Sequence, residues 1–198
     1  MSQVSRYHPL LVASHWFLAV LIVGALALGA LVLAKIPSTD PMKLEALRSH
    51  MIGGTLILIV MLVRLILRTR TARPAPATAG NPALDRVAWI SHRLFYVFVL
   101  GQAGSGLFMA VQTGLPDVVF GGHGALPADF WAFPVRTVHY VVSRLLMALI
   151  ALHVAGALYH AFVLRDGLLR RMGFGKRIIT PPQPTVPARG RSFSHVPQ

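Results

Sequence analysis

Residues 137–162, TVHYVVSRLLMALIALHVAGALYHAF, restrict the folds open to this chain more than any other stretch. The segment is long enough to cross a bilayer as a helix, yet it carries His139, His153 and His160. Fourteen residues separate the first two histidines and seven the last two. At about 100° per residue both spacings are nearly whole turns, so the three rings share roughly one face. At about 1.5 Å per residue, His139 and His153 lie roughly 21 Å apart along the axis. Titratable side chains at such depth are costly and normally face a bundle interior or a cavity. A single ring can simply hydrogen-bond a neighbouring helix. A stripe of rings points instead to two stacked ligand sites, each completed from another helix.

Composition agrees with a membrane protein. Of 198 residues 55% are hydrophobic, the mean hydropathy is +0.62, and 13% are charged, about half the usual soluble share. The absence of cysteine excludes disulfides, thiolate-bound iron–sulfur clusters, C-x-x-C-H haem attachment and zinc ribbons. Any metal or cofactor must therefore rely on the nine histidines, the seven methionines or the few acids. The net charge of +13 is spread over particular loops, as membrane topology requires, and no recognition motif accompanies it. No nucleic-acid partner is expected.

In chain order, residues 16–34 form an uncharged run of spanning length, with Pro9 fitting the helix start. Arg6 ahead of it resembles a signal peptide, but the apolar core is long and further spans follow. Thr39-Asp40-Pro41 is a capping acid followed by proline, and predicts a second helix over 41–67. A basic, Pro-rich connection over 68–82 reads as a loop, and Asn81-Pro82 repeats the start signal for a third helix to about residue 111. Residues 112–133 are rich in Gly, Pro and aromatics, with Phe130, Trp131 and Phe133 expected as an interfacial anchor. Pro134 opens the fourth helix, to about residue 164.

The expected fold class is all-α: a four-helix transmembrane bundle over residues 1–177. A disordered Pro-rich tail is expected over 178–198. Arg6, Arg64, Arg68, Arg70, Arg73, Arg86, Arg93, Arg165, Arg170, Arg171, Lys176, Arg177, Arg189 and Arg191, fourteen of the nineteen basic residues, fall on one side. The positive-inside rule makes that side, with both termini, cytoplasmic. The surroundings are expected to be membrane lipid.

Topology makes depth readable. The first helix enters from the cytoplasm, which puts His15 in the inner half. The second and fourth enter from outside, which puts His50 and His139 in the outer half and His153 in the inner half. The natural couples are His50 with His139 and His15 with His153. Two imidazoles from facing helices at each of two depths suit the axial positions of b-type haem iron. A zinc or di-iron bundle competes, but such sites use carboxylates and no Asp or Glu lies inside a span. Gly53, Gly54, Ala155 and Gly156 would let a flat macrocycle approach the backbone, and Gly101, Gly104 and Gly106 serve either that purpose or plain helix packing. Haem propionates need cationic partners. Arg48, Arg136 and Arg144 are outer candidates, Arg144 foremost because it lies within a helix, and Arg64 and Arg93 are inner ones. Each could equally be a snorkelling interfacial charge. His92 and His160 fall at the inner end, where they either bind and protonate a quinone or sit as polar rings among the headgroups. His8, His123 and His195 carry no specific signal.

The pattern resembles the bacterial cytochrome b-561 family of small di-haem inner-membrane proteins. The matching pieces are Ser14-His15-Trp16, Arg48-Ser49-His50, Ser91-His92, His139 with His153 and His160, and the basic end over 168–171. The resemblance spans roughly residues 5–177. It implies His15, His50, His139 and His153 as axial ligands and His92 and His160 near the quinone. Some members are superoxide oxidases, which implies superoxide as outer electron donor and ubiquinone as acceptor. An anionic substrate favours a positive outer face. The outer side, however, carries five basic residues against Asp40, Glu45, Asp117 and Asp129, so steering must come from local placement. A cytochrome b anchor and electron conduit for a separate dehydrogenase or hydrogenase would have the same haems and an electron-donor protein as partner. A small transporter with histidine proton relays is the non-redox alternative.

Overall fold

The computed structural model describes residues 3–173, 175 and 178–180. Four helices have the length and apolar composition to cross a membrane: Pro9–Leu33, Pro41–Arg70, Pro82–Gln112 and Pro134–Leu164. The first comprises α1 (Pro9–Ala27) and a π-helical end (Leu28–Leu33), followed by α2 (Pro41–Arg70) and α3 (Pro82–Gln112). A five-residue α4 (Leu115–Val119) lies in the connection to α5 (Pro134–Leu158), which also ends in π-helix (Tyr159–Leu164). A short α6 (Leu168–Arg171) follows. The chain is an all-helical membrane bundle, apart from a two-residue antiparallel ladder between β1 (Gln3–Val4) and β2 (Ile179–Thr180).

Each spanning helix opens on a proline, whose missing N–H costs nothing in the first turn. Asp40 and Asn81 cap α2 and α3 by accepting from Met42 N and Ala83 N at 2.8 and 2.9 Å. His8 performs the same task for α1 through Nδ1, 3.3 Å from Leu10 N, a role its sequence context did not signal.

The bundle is inverted relative to a soluble one: Val20, Ile59, Val97, Leu107 and Phe162 lie exposed on its outside, as lipid contact requires. Helices pack in chain order, α1 on α2, α2 on α3 and α3 on α5. The interior is layered. A mid-bundle cluster of Leu18, Ile57, Met61, Val99 and Leu146 draws from all four spans. At the face opposite the termini, Leu47, Ala110, Leu115 and Val119 form a second cluster. Leu115 and Val119 are among its most buried members, because the α3–α5 connection folds inward through α4 as a cap. Phe130 packs against this cap, while Trp131 stays exposed. The aromatic anchor expected over 130–133 is therefore divided between core and surface.

Two cations lock this distal face. Arg48 donates to the Val119 carbonyl through Nη2 at 2.7 Å and Nε at 3.2 Å, and its Nη1 meets Glu45 at 2.6 Å. Buried Lys43 donates through Nζ to the carbonyls of Leu33 and Ile36 at 2.5 and 2.7 Å, closing the frayed end of the first span. Lys43→Met keeps the apolar stem and removes both bonds. It is expected to cost about 2 kcal/mol, read as a lower melting temperature of the detergent-solubilised protein.

At the terminal face, Trp16 Nε1 donates to the Met172 carbonyl at 2.9 Å and Arg171 Nη1 to that of Ala75 at 2.8 Å. The segment after the fourth span is thereby tied to α1 and to the α2–α3 connection. The tail expected to be disordered over 178–198 lies outside the described residues except for its first three, where Ile179–Thr180 pairs with Gln3–Val4.

Candidate cofactor-binding site

The drift of about 40° between residues 139 and 153 is small enough that one face of α5 presents both rings inward, and His15, His50, His139 and His153 are all half-buried. His15 of α1 and His153 of α5 lie with ring centroids 6.2 Å apart and planes at 69°. His50 of α2 and His139 of α5 also lie 6.2 Å apart, at 72°. Leu146 of the mid-bundle cluster is seven residues from each α5 histidine, so an apolar layer separates the two tiers. The structure thus brings together the two couples that depth had picked out.

The separation is informative. Two imidazole nitrogens each about 2 Å from one metal ion, with ring centres about 1 Å behind them, place the centroids about 6 Å apart. A direct N–H···N bond of about 2.9 Å would draw them to about 5 Å. The helices carrying each couple, α1 with α5 and α2 with α5, make little or no backbone approach to one another among the described residues. Facing rings on helices whose backbones stay apart fit a thin group between them. Among the described residues no three His, Cys, Asp or Glu side chains are arranged to hold a metal. A ring pair therefore suits an ion that brings its remaining ligands with it, as haem iron does. His50 Nδ1 is buried without a hydrogen-bond partner among the described residues, a group for which a ligand or water would account.

The supporting residues differ between tiers. At the distal tier, His50 Cε1 is 3.6 Å from where a Cβ on Gly29 would sit, and His139 Cε1 is 3.1 Å from one on Gly106. Of the three α3 glycines singled out by sequence, only Gly106 meets a histidine; Gly101 and Gly104 have nothing described within 4 Å of that position. His139 Nδ1 is 3.0 Å from Ser105 Oγ, and its Nε2 is 2.9 Å from Gln102 Nε2. At the terminal tier, Phe95 and His92 each set a ring 5.3 Å from that of His153. His92 is exposed and donates from Nδ1 to the Ala88 carbonyl at 2.6 Å.

The candidate propionate partners fall in three kinds of place. Arg64 is half-buried and donates from Nη1 to the Leu11 carbonyl and, at 3.0 Å, to Ser14 Oγ, in the turn that leads into His15. Arg48 is committed to Val119 and Glu45 at the distal cap. Arg144 is exposed, its guanidinium 4.9 Å from the Tyr140 ring centre, and Arg93 lies 3.2 Å over Trp89. Arg136 is half-buried, 4.5 Å over Trp131. His160 Nδ1 donates to Asp166 Oδ2 at 2.6 Å. That bond is the main cause holding the Asp166 carboxyl below its usual range, and the Leu168 N–H adds to it.

Sequence reasoning missed Gln102, Ser105 and Asp166. The first two left a faint signal, two polar residues three apart inside an apolar run, which puts them on one helix face.

A membrane bundle with facing imidazole pairs between its helices is the architecture of a b-type cytochrome. The prokaryotic cytochrome b561 family model matches residues 6–175, and the chain belongs to that family. Membership makes it a multi-pass membrane protein of electron transfer and implies b-type haem. The chain is 26% identical over 175 residues to cytochrome b561 homolog 2 of Escherichia coli (strain K12), covering 84% of this chain and 90% of that protein. It is 25% identical over 131 residues to the Yersinia pestis protein named "Probable superoxide oxidase CybB", covering 65% of this chain and 74% of that protein.

Proposed function

We propose that the chain is a superoxide:ubiquinone oxidoreductase that binds two b haems, one between His15 and His153 and one between His50 and His139. The observation that carries this reading is the pair of matched 6.2 Å ring separations at two levels of one bundle. Haem held there would supply reversible one-electron chemistry. The overall reaction consumes two superoxide ions, one quinone and two protons, and yields two O2 and one quinol. The likeness to the protein named for superoxide oxidation supports the donor, and the excess of basic residues on the terminal face supports a cytoplasmic position for both termini.

The residues divide the remaining work. Arg64, against the turn before His15, is the partner for a haem carboxylate at the terminal tier. Quinone reduction requires two protons, and His160 with Asp166 provides a carboxylate-oriented imidazole at the terminal face, where water has access. His92 holds its Nδ1 proton on Ala88, which leaves Nε2 as an acceptor beside His153. Leu146 and its neighbours exclude water between the tiers.

The purified protein, reconstituted alone in lipid nanodiscs, is mixed with a superoxide-generating system and short-chain ubiquinone. Reduction of the haem bands, quinol formation and close to one O2 per superoxide are expected, against one O2 per two superoxides in dismutation. Haems that stay oxidised under superoxide, yet are reduced by electrons from a separate dehydrogenase or hydrogenase, would replace this reading with that of an electron conduit. A pigment-free protein from haem-replete cells would end both.

A further inference from the structure

Helix α3 contributes no ring to either facing pair, yet it decides the state of one of them. Ser105 has a single hydroxyl proton, which it donates to the Gln102 carbonyl at 3.0 Å. With that proton on Gln102, the contact with His139 Nδ1 at 3.0 Å is assigned as an N–H donation from the ring. A neutral imidazole with its proton on Nδ1 has a bare lone pair on Nε2, and the Gln102 amide N–H2 points at that atom from 2.9 Å. The opposite tautomer would require the Gln102 amide to turn over, so that Oε1 accepts from Nε2–H, and the Ser105 hydroxyl to leave the Gln102 carbonyl for Nδ1. The Gln102 Oε1, meanwhile, is buried without a hydrogen-bond partner among the described residues, so this side chain is held by His139 and not by a network of its own.

We propose that Ser105 is the positioning residue that fixes the tautomer and orientation of His139, and that Gln102 is a displaceable amide guarding its ligating nitrogen. The inference rests on the haem reading for its consequence, since a metal at Nε2 takes the place of the amide. A ligating histidine that donates its other N–H is oriented and made more basic, and loss of such a partner costs about 10–100-fold in metal affinity. Ser105→Ala should therefore loosen the distal haem by about that factor. It should also raise that centre's midpoint potential, because a less donating imidazole stabilises ferric iron less. The His15–His153 centre in the same molecule is the internal reference.

The test uses the whole protein in nanodiscs, as parent, Ser105→Ala and Ser105→Thr. Midpoint potentials and haem retention are read for both centres, and 15N spectra of histidine-labelled, haem-free protein report the tautomer of His139. The parent should show the Nδ1–H form, Ser105→Ala a mixture, and Ser105→Thr, which keeps the hydroxyl, the parent behaviour. A two-haem Ser105→Ala protein with unchanged distal potential and retention would overturn the inference and leave the proposed function standing. A parent without haem would instead remove the proposed function, and the inference would then fall as well if Ser105→Ala left the tautomer unchanged.

Discussion

Alanine in place of His153 is expected to halve the haem content of the purified protein, from two per chain to one. The ring faces His15 across 6.2 Å, whereas the neighbouring His92 stands exposed on α3 with its ring edge-on to His153. His15→Ala should give the same result, whereas His50→Ala and His139→Ala should remove the distal centre and leave the terminal one spectrally unchanged. The mid-bundle layer through Leu146 makes the tiers independent. The measurement is haem per chain by pyridine haemochrome, with the low-temperature visible spectrum identifying which centre survives. Two full haems in His153→Ala, or loss of both with helicity retained, would contradict the assignment.

The second large effect is at Gly106. A Cβ there would lie 3.1 Å from Cε1 and 3.5 Å from Nδ1 of His139, so even alanine presses on the ring. Valine adds two branched methyls in a stiff rotamer, and the imidazole must turn away from both Ser105 and His50. Loss of the distal haem with the terminal haem intact is the expected outcome, although the substitution removes no ligand. Gly104→Val is the control, since Gly104 is exposed and a Cβ there meets nothing described within 4 Å. Equal haem content and equal distal potential in the two variants would show that His139 is not seated on Gly106.

Four proline-led spans, the bundle they form and the inward-facing positions of His15, His50, His139 and His153 are legible in the residues. Each depends on a period along one helix or on distance from a helix start, and both are local quantities. The pairing by depth is legible too, because alternating spans convert sequence position into height. Azimuth around the bundle is not legible in that way. Arg144 lies at a promising depth yet stands exposed beside Tyr140, and Arg48 is turned to a loop carbonyl 71 residues away. Phe130 enters the cap while Trp131, the next residue, stays outside.

By itself, then, the sequence determined the class of fold, the height of each imidazole and the family, because hydrophobic length and helical period are properties of single segments. Only the tertiary structure decided that Gln102, Ser105 and Gly106 of α3 surround His139, and that Gly29 meets His50. Those contacts depend on the rotation of each helix about its own axis. That rotation is set by the packing of neighbouring helices against one another, so it is not encoded in the pattern of any one of them.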